Sequence, residues 1–129
     1  MSKFDNAMRR QALSLPALLA DQYHDLEPKA RSILSFQEIF SIQRIILTGC
    51  GDSRAASMAV KLAFEKLTGI PTEVVTALDL SRYYDSKQLG FAPQNPLVIA
   101  VSNSGGVARV GEAIQRAVGA GAFALGITG

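Results

Sequence analysis

Four short apolar runs, RIILTG (44–49), TEVVTAL (72–78), PLVIAVS (96–102) and AFALGIT (122–128), alternate with stretches whose apolar residues recur every three or four positions. Runs rich in β-branched residues and lacking polar alternation suit strands covered on both faces, and the spacing between them suits amphipathic helices. Alternation of this kind leaves little choice of architecture. It predicts an α/β fold, a three-layer sandwich in which a parallel, flavodoxin-like sheet carries helices on both sides.

The helical segments follow from the same spacing. DSRAASMAVKLAFEKLTG (52–69) carries an apolar stripe of Ala55, Met58, Ala59, Leu62 and Phe64, with Asp52 or Ser53 expected to cap its start and Gly69 to end it. LSRYY (80–84) reads as a short helical turn, and residues 107–118 place Val110, Ala113, Ile114 and Ala117 on one side. Ahead of the first strand, Phe4, Met8, Leu15, Leu18, Leu19, Ile33 and Leu34 keep helical spacing, and Pro16 and Pro28 are expected to open new turns or kink the chain. Residues 1–42 are therefore read as a helical lead-in and 43–129 as the α/β domain. Because a fourth strand ends the chain at Gly129 with nothing to cover its edge, either a partner subunit is expected to cover it or, the favoured reading, the domain is incomplete and is the first part of a longer protein.

Charge narrows the class of partner. Thirteen Lys and Arg interleave with eleven Asp and Glu for a net charge of +2, and no block of like charge marks a nucleic-acid arm or a polybasic membrane tether. No apolar stretch approaches the roughly 20 residues that span a bilayer. A single cysteine, Cys50, precludes an intrachain disulfide, and MSKFDNAMRR lacks the apolar centre of a signal peptide, so a cytoplasmic location is expected. No His, Cys, Asp or Glu cluster has metal-ligand spacing, and neither a metal nor an organic cofactor is expected.

Chemistry concentrates in two loops, GCGDSRAAS (49–57) and SNSGGVAR (102–109), each at the carboxyl end of a strand, where open α/β sheets bind ligands. Glycine lets a backbone approach a ligand closely, a helix start presents unpaired N–H groups with about half a positive charge, and serine hydroxyls add donors that rotate toward an oxyanion. Ser102, Asn103 and Ser104, with the amides of Gly105, Gly106 and Val107, are expected to surround one phosphate. A dinucleotide fingerprint fails because Arg54 stands where its third glycine packs, and no P-loop ending is present. Cys50 lies at a helix start, a setting in which a thiol can be reactive, but with no histidine near it in sequence it is expected to be a small packing residue.

GCGDS after the first strand and SNSGG after the third, joined through a glycine-ended helix and GIPTEVVTALDL, resemble the sugar isomerase (SIS) domain over residues 45–128. That phosphosugar-binding module occurs in glucosamine-6-phosphate synthase and in related aldose–ketose isomerases, deglycases and sugar-sensing regulators. The resemblance implies phosphate contacts from Ser53, Ser102, Asn103 and Ser104, in a site that includes Gly51, Asp52, Gly105 and Val107. Two departures matter. Val107 replaces the threonine of the family's S-x-S-G-x-T stretch, removing a hydroxyl, and Asp52 replaces a small residue, so its carboxylate is expected to turn toward sugar hydroxyls or to cap the helix, with Arg54 offsetting its charge.

The resemblance also implies a homodimer or higher homo-oligomer, and a catalytic glutamate and histidine supplied by a second half of the protein or by a neighbouring subunit. Nothing in the two loops provides them. His24 is expected to be a surface or packing residue, Glu112 to be solvated, and Glu65 and Glu73 to be helix-surface and strand-end charges, so no catalytic base is assigned. The function implied is carbohydrate-derivative binding within a phosphosugar isomerase or deglycase of carbohydrate metabolism. The alternative is a non-catalytic sugar-phosphate sensor.

Overall fold

The computed structural model describes residues 5–89 and 96–129. Phe4, counted above in the helical spacing, lies outside the described residues. Contacts divide the chain into two units, residues 1–39 and 40–129.

In the first unit, α1 (Ala7–Ile33) is one 27-residue helix that runs through both Pro16 and Pro28 and buries none of its residues. Neither proline opens a new helix; α1 continues through both. Each removes one backbone donor and frees a carbonyl four residues earlier, and on an exposed helix that carbonyl can be solvated. Asn6 caps α1, its side-chain oxygen accepting the Arg9 N–H at 2.9 Å.

The second unit begins within α2 (Phe36–Ser41) and continues as β1 (Arg44–Gly49), α3 (Asp52–Thr68), β2 (Thr72–Thr76), α4 (Ala77–Arg82), α5 (Ser86–Leu89), β3 (Pro96–Ser102), α6 (Ala108–Gly119) and β4 (Phe123–Thr128). All strand pairings are parallel and the order is β2-β1-β3-β4, as the flavodoxin-like expectation requires. β1 and β3 occupy the predicted ranges. β2 stops two residues short of the predicted Leu78 because Thr76 becomes the cap of α4, its hydroxyl accepting the Asp79 N–H at 3.0 Å and donating to the Asp79 carboxylate at 2.7 Å.

The core lies between the sheet and the pair α4 and α6. Ile46, Val98 and Ala100 on one sheet face meet Leu80, Leu89, Val110, Ala113 and Ala117. Ile46, Leu80, Leu89 and Val98 are wholly buried, which at about 1.5–3 kcal/mol per side chain makes this layer the main source of apolar stabilisation.

α3 packs on β1 and β2, but with a phase other than the predicted one. Its buried residue is Ser57, whose hydroxyl donates to the Ser53 carbonyl at 3.0 Å, while Met58 and Leu62 are exposed. The sheet side of the helix is small and polar at its start because β1 ends there at Gly49, where an added Cβ would lie 3.0 Å from the Ser53 Cβ and from the Val101 carbonyl oxygen. The close approach selects for small side chains, and the larger apolar stripe is left facing outward.

Candidate functional site

Register determines where the two loops emerge. Gly49, the last residue of β1, pairs with Val101, one residue before the end of β3, so the 50–51 and 103–107 loops leave adjacent strands at the same rim. Between them lies a cavity of about 240 Å³ lined by Cys50, Asp52, Ser53, Val101, Ser102, Asn103, Ser104, Val107 and Val110. Six of the eight residues expected at the site therefore share one cavity. Gly51 and Gly105 do not line it; they take φ of +53° and +65° and turn the backbone so that their neighbours can.

The polar groups in this cavity are unevenly satisfied. Ser102 is only 5% exposed, yet its hydroxyl has no hydrogen-bond partner among the described residues. A buried hydroxyl left unpaired costs about 1–3 kcal/mol, so such a group is retained where something else completes it. Ser104 Oγ accepts the Gly106 N–H at 3.3 Å, which leaves its own proton free to donate into the cavity. Thr48, on the core face one residue before the end of β1, has the other unpaired buried hydroxyl found among the described residues, but it does not line the cavity.

Both helices that start here lack a side-chain cap. α3 begins at Gly51 and α6 at Val107, and neither start receives a side-chain hydrogen bond. This corrects the expected capping of α3 by Asp52 or Ser53. The donors available at α6 also differ from those expected. Gly105 N–H is taken by the Ser102 carbonyl at 3.1 Å in a tight turn, and Gly106 N–H by Ser104. The amides of Val107, Ala108 and Arg109 at the start of α6, and that of Asp52 at the start of α3, are without a partner among the described residues. The loop has thus closed on itself with its glycine amides and offers the helix-start amides outward.

The carboxylates divide into free and committed groups. Asp52 has no ion-pair partner among the described residues and does not pair with Arg54. Glu112, expected to be solvated, is part-exposed and accepts from Arg109 at 2.8 Å and from Arg82 at 3.0 Å. Glu65 accepts from Lys61 at 3.0 Å, and that bond, with a weaker one from the Thr72 N–H, holds its carboxyl below the usual range. Glu73 pairs with Arg44 and accepts from the Tyr84 hydroxyl at 3.4 Å. A second cavity, of about 380 Å³ at the amino ends of β1 and β2, is lined by charged groups that are already paired, Arg44 with Glu73 and Glu65 with Lys61. His24 is exposed on α1 and stands edge-on to Tyr23, with ring centroids 5.9 Å apart. No cluster of metal-ligating side chains occurs among the described residues, and no described helix is long and apolar enough to cross a membrane.

Sequence reasoning missed the apolar half of the wall. Val101 and Val110 enter the cavity through strand register and the phase of α6, neither of which a loop motif reveals. Cys50 was assigned to packing; it does pack against the core cluster, and it also lines the cavity.

The SIS domain family model matches residues 38–129. The chain belongs to the SIS-domain family. Among curated proteins, this SIS domain is 30% identical over 119 residues to a glutamine–fructose-6-phosphate aminotransferase (isomerizing) from Mycolicibacterium smegmatis, covering 88% of this chain and 18% of the relative. It is 37% identical over 112 residues to the enzyme of the same name from Gloeobacter violaceus, covering 85% of this chain and 17% of the relative. The chain thus spans less than a fifth of the length of these relatives. Solved structures agree on the fold. The C-terminal domain of glucosamine-fructose-6-phosphate aminotransferase from Francisella tularensis aligns with a TM-score of 0.61 at 22% identity, over 71% of this chain and 25% of that one. Tagatose-6-phosphate ketose/aldose isomerase from Escherichia coli aligns with a TM-score of 0.58 at 24% identity, over 92% of this chain and 30% of that one.

Proposed function

We propose that this SIS domain binds a phosphorylated sugar in the cavity between the β1–α3 and β3–α6 loops, as the phosphosugar-gripping part of an aldose–ketose isomerase or deglycase. The observation that carries the reading is the Ser102 hydroxyl, buried and without a partner, on a residue that lines a cavity together with Ser53 and Ser104. The unpaired amides at the starts of α3 and α6 supply the remaining donors that a dianionic phosphate needs. Asp52, unpaired on the same wall, receives sugar hydroxyls, because a carboxylate aimed at the phosphate would repel it. In this reading the groups that open the ring and move the proton are supplied by further sequence or by a neighbouring subunit. The relatives' names point to fructose-6-phosphate as the first ligand to test. The reading includes a cytoplasmic, self-associating protein.

Replacing Ser102 and Ser104 together with alanine should weaken fructose-6-phosphate binding by about 2 kcal/mol, roughly 30-fold, since each hydroxyl donor to a charged group contributes about 1.5–3 kcal/mol before coupling. Titration calorimetry on the folded double variant is the test. Unchanged affinity rejects the site.

A further inference from the structure

Cys50 is the only cysteine of the chain, and the phosphate-binding groups make no use of it. Its position is constrained on two sides. Gly49 precedes it with no room for a side chain, and Gly51 follows it in a positive-φ turn, while the Cys50 carbonyl accepts the Ser53 N–H at 3.1 Å. Its half-buried side chain packs on one side against the core cluster and on the other lines the cavity that holds the unpaired Ser102 hydroxyl. A group added to the sulfur cannot enter the packed core. The open space that Cys50 lines is the roughly 240 Å³ it shares with Ser53, Ser102 and Ser104.

We infer that Cys50 is a thiol-modification site that shares its cavity with the bound anion, so that modification and ligand occupancy exclude each other. The inference rests on the phosphosugar reading above. The modifying partner is a small disulfide. The Cys50 thiolate attacks one sulfur, a new S–S bond forms as the old one breaks, the departing thiolate takes a proton from solvent, and the mixed disulfide stands where the phosphate would lie. A thiol reductant reverses the step by the same exchange. A ligand already seated blocks the approach to the sulfur, so a loaded site protects itself.

The test uses methyl methanethiosulfonate, whose S-methylthio group transfers to the cysteine with release of methanesulfinate. Because the chain has one thiol, intact mass reports the adduct directly. The expected result is a single adduct on the native protein, formed at least tenfold more slowly in saturating fructose-6-phosphate. The adduct should abolish thermal stabilisation by fructose-6-phosphate, leave the far-ultraviolet circular dichroism unchanged, and give up its block on treatment with dithiothreitol. Labelling only after denaturation, or a labelled protein that fructose-6-phosphate stabilises as well as the unlabelled one, overturns the inference and leaves the phosphosugar reading standing. An unlabelled protein that fructose-6-phosphate and inorganic phosphate both fail to stabilise overturns the two together.

Discussion

Three helices start at the carboxyl rim of the sheet, and they are not finished alike. α4 closes its own first turn, with the Thr76 hydroxyl accepting the Asp79 N–H and donating back to the Asp79 carboxylate. α3 and α6 begin at Gly51 and Val107, residues with no side-chain acceptor to offer; the amides of Val107, Ala108 and Arg109 stay unpaired at α6, and that of Asp52 does at α3, where the Cys50 carbonyl takes the Ser53 N–H. A helix start left without an acceptor exposes up to four donors and the positive end of its dipole. The chain has side-chain caps from Asn6 on α1 and Thr76 on α4, and lacks them at the two starts that flank the cavity. Under the proposed function the missing cap is the ligand. A self-capped start serves stability alone; an open one trades stability for affinity.

That contrast can be broken at several points, and the double serine variant described above is the most severe. Next in size is Gly51→Ala. With φ +53° and ψ −124°, Gly51 sits in a conformation that L side chains rarely adopt, and forcing one there costs about 1–3 kcal/mol. Because an added Cβ would meet nothing within 4 Å, the cost is backbone strain rather than collision. Chemical denaturation should show stability falling by about 2 kcal/mol. Calorimetry should show weaker fructose-6-phosphate binding as well, since relaxing the turn moves the Asp52 amide and Ser53. Full affinity in this variant would mean that the β1–α3 loop contributes nothing to the grip.

Thr76→Ala tests the other side of the contrast. Removing a threonine cap costs about 1 kcal/mol, and the loss should appear in the denaturation midpoint. The residue does not line the cavity, so affinity for fructose-6-phosphate should be unchanged. A variant that lost binding along with stability would show that α4 is part of the site and that the distinction between its start and the other two is false.

The legibility of the molecule from its sequence follows the same lines. β1 and β3 could be bounded because each is a run of apolar residues halted by a residue that cannot continue it, Gly49 in one case and the Ser102-Asn103 polar pair in the other. β2 could not, since Ala77 and Leu78 prolong the apolar pattern of the strand while Thr76 and Asp79, three apart, form a helix start. α5 has four residues, too few for any period to show. The stripe on α3 was misplaced because periodicity reports that a helix has an apolar side without saying which side meets the sheet. Here the close approach at Gly49 decided, in favour of Ser57. At the site, the serines were legible as chemistry. The donors that accompany them were not, because which amides are free depends on how the Ser102–Gly105 turn closes.

The smallest expected effect is also the one that separates capping from ligand binding most finely. Val107 is the first residue of the α6 start, 37% exposed and without a cap bond. Val107→Thr places a hydroxyl there that can accept from the Arg109 or Val110 N–H and, as Ser104 does with Gly106, keep its proton for a ligand. Stability without ligand should rise by about 0.5 kcal/mol as a poor cap becomes a good one. Affinity for fructose-6-phosphate should rise by about the same amount, roughly twofold, because the new donor faces the cavity. If stability rises while affinity falls, the hydroxyl has taken amides that the phosphate was using, and α6 binds through its backbone alone. If stability rises and affinity does not change, the open start of α6 faces no ligand, and its likeness to the start of α3 is only formal.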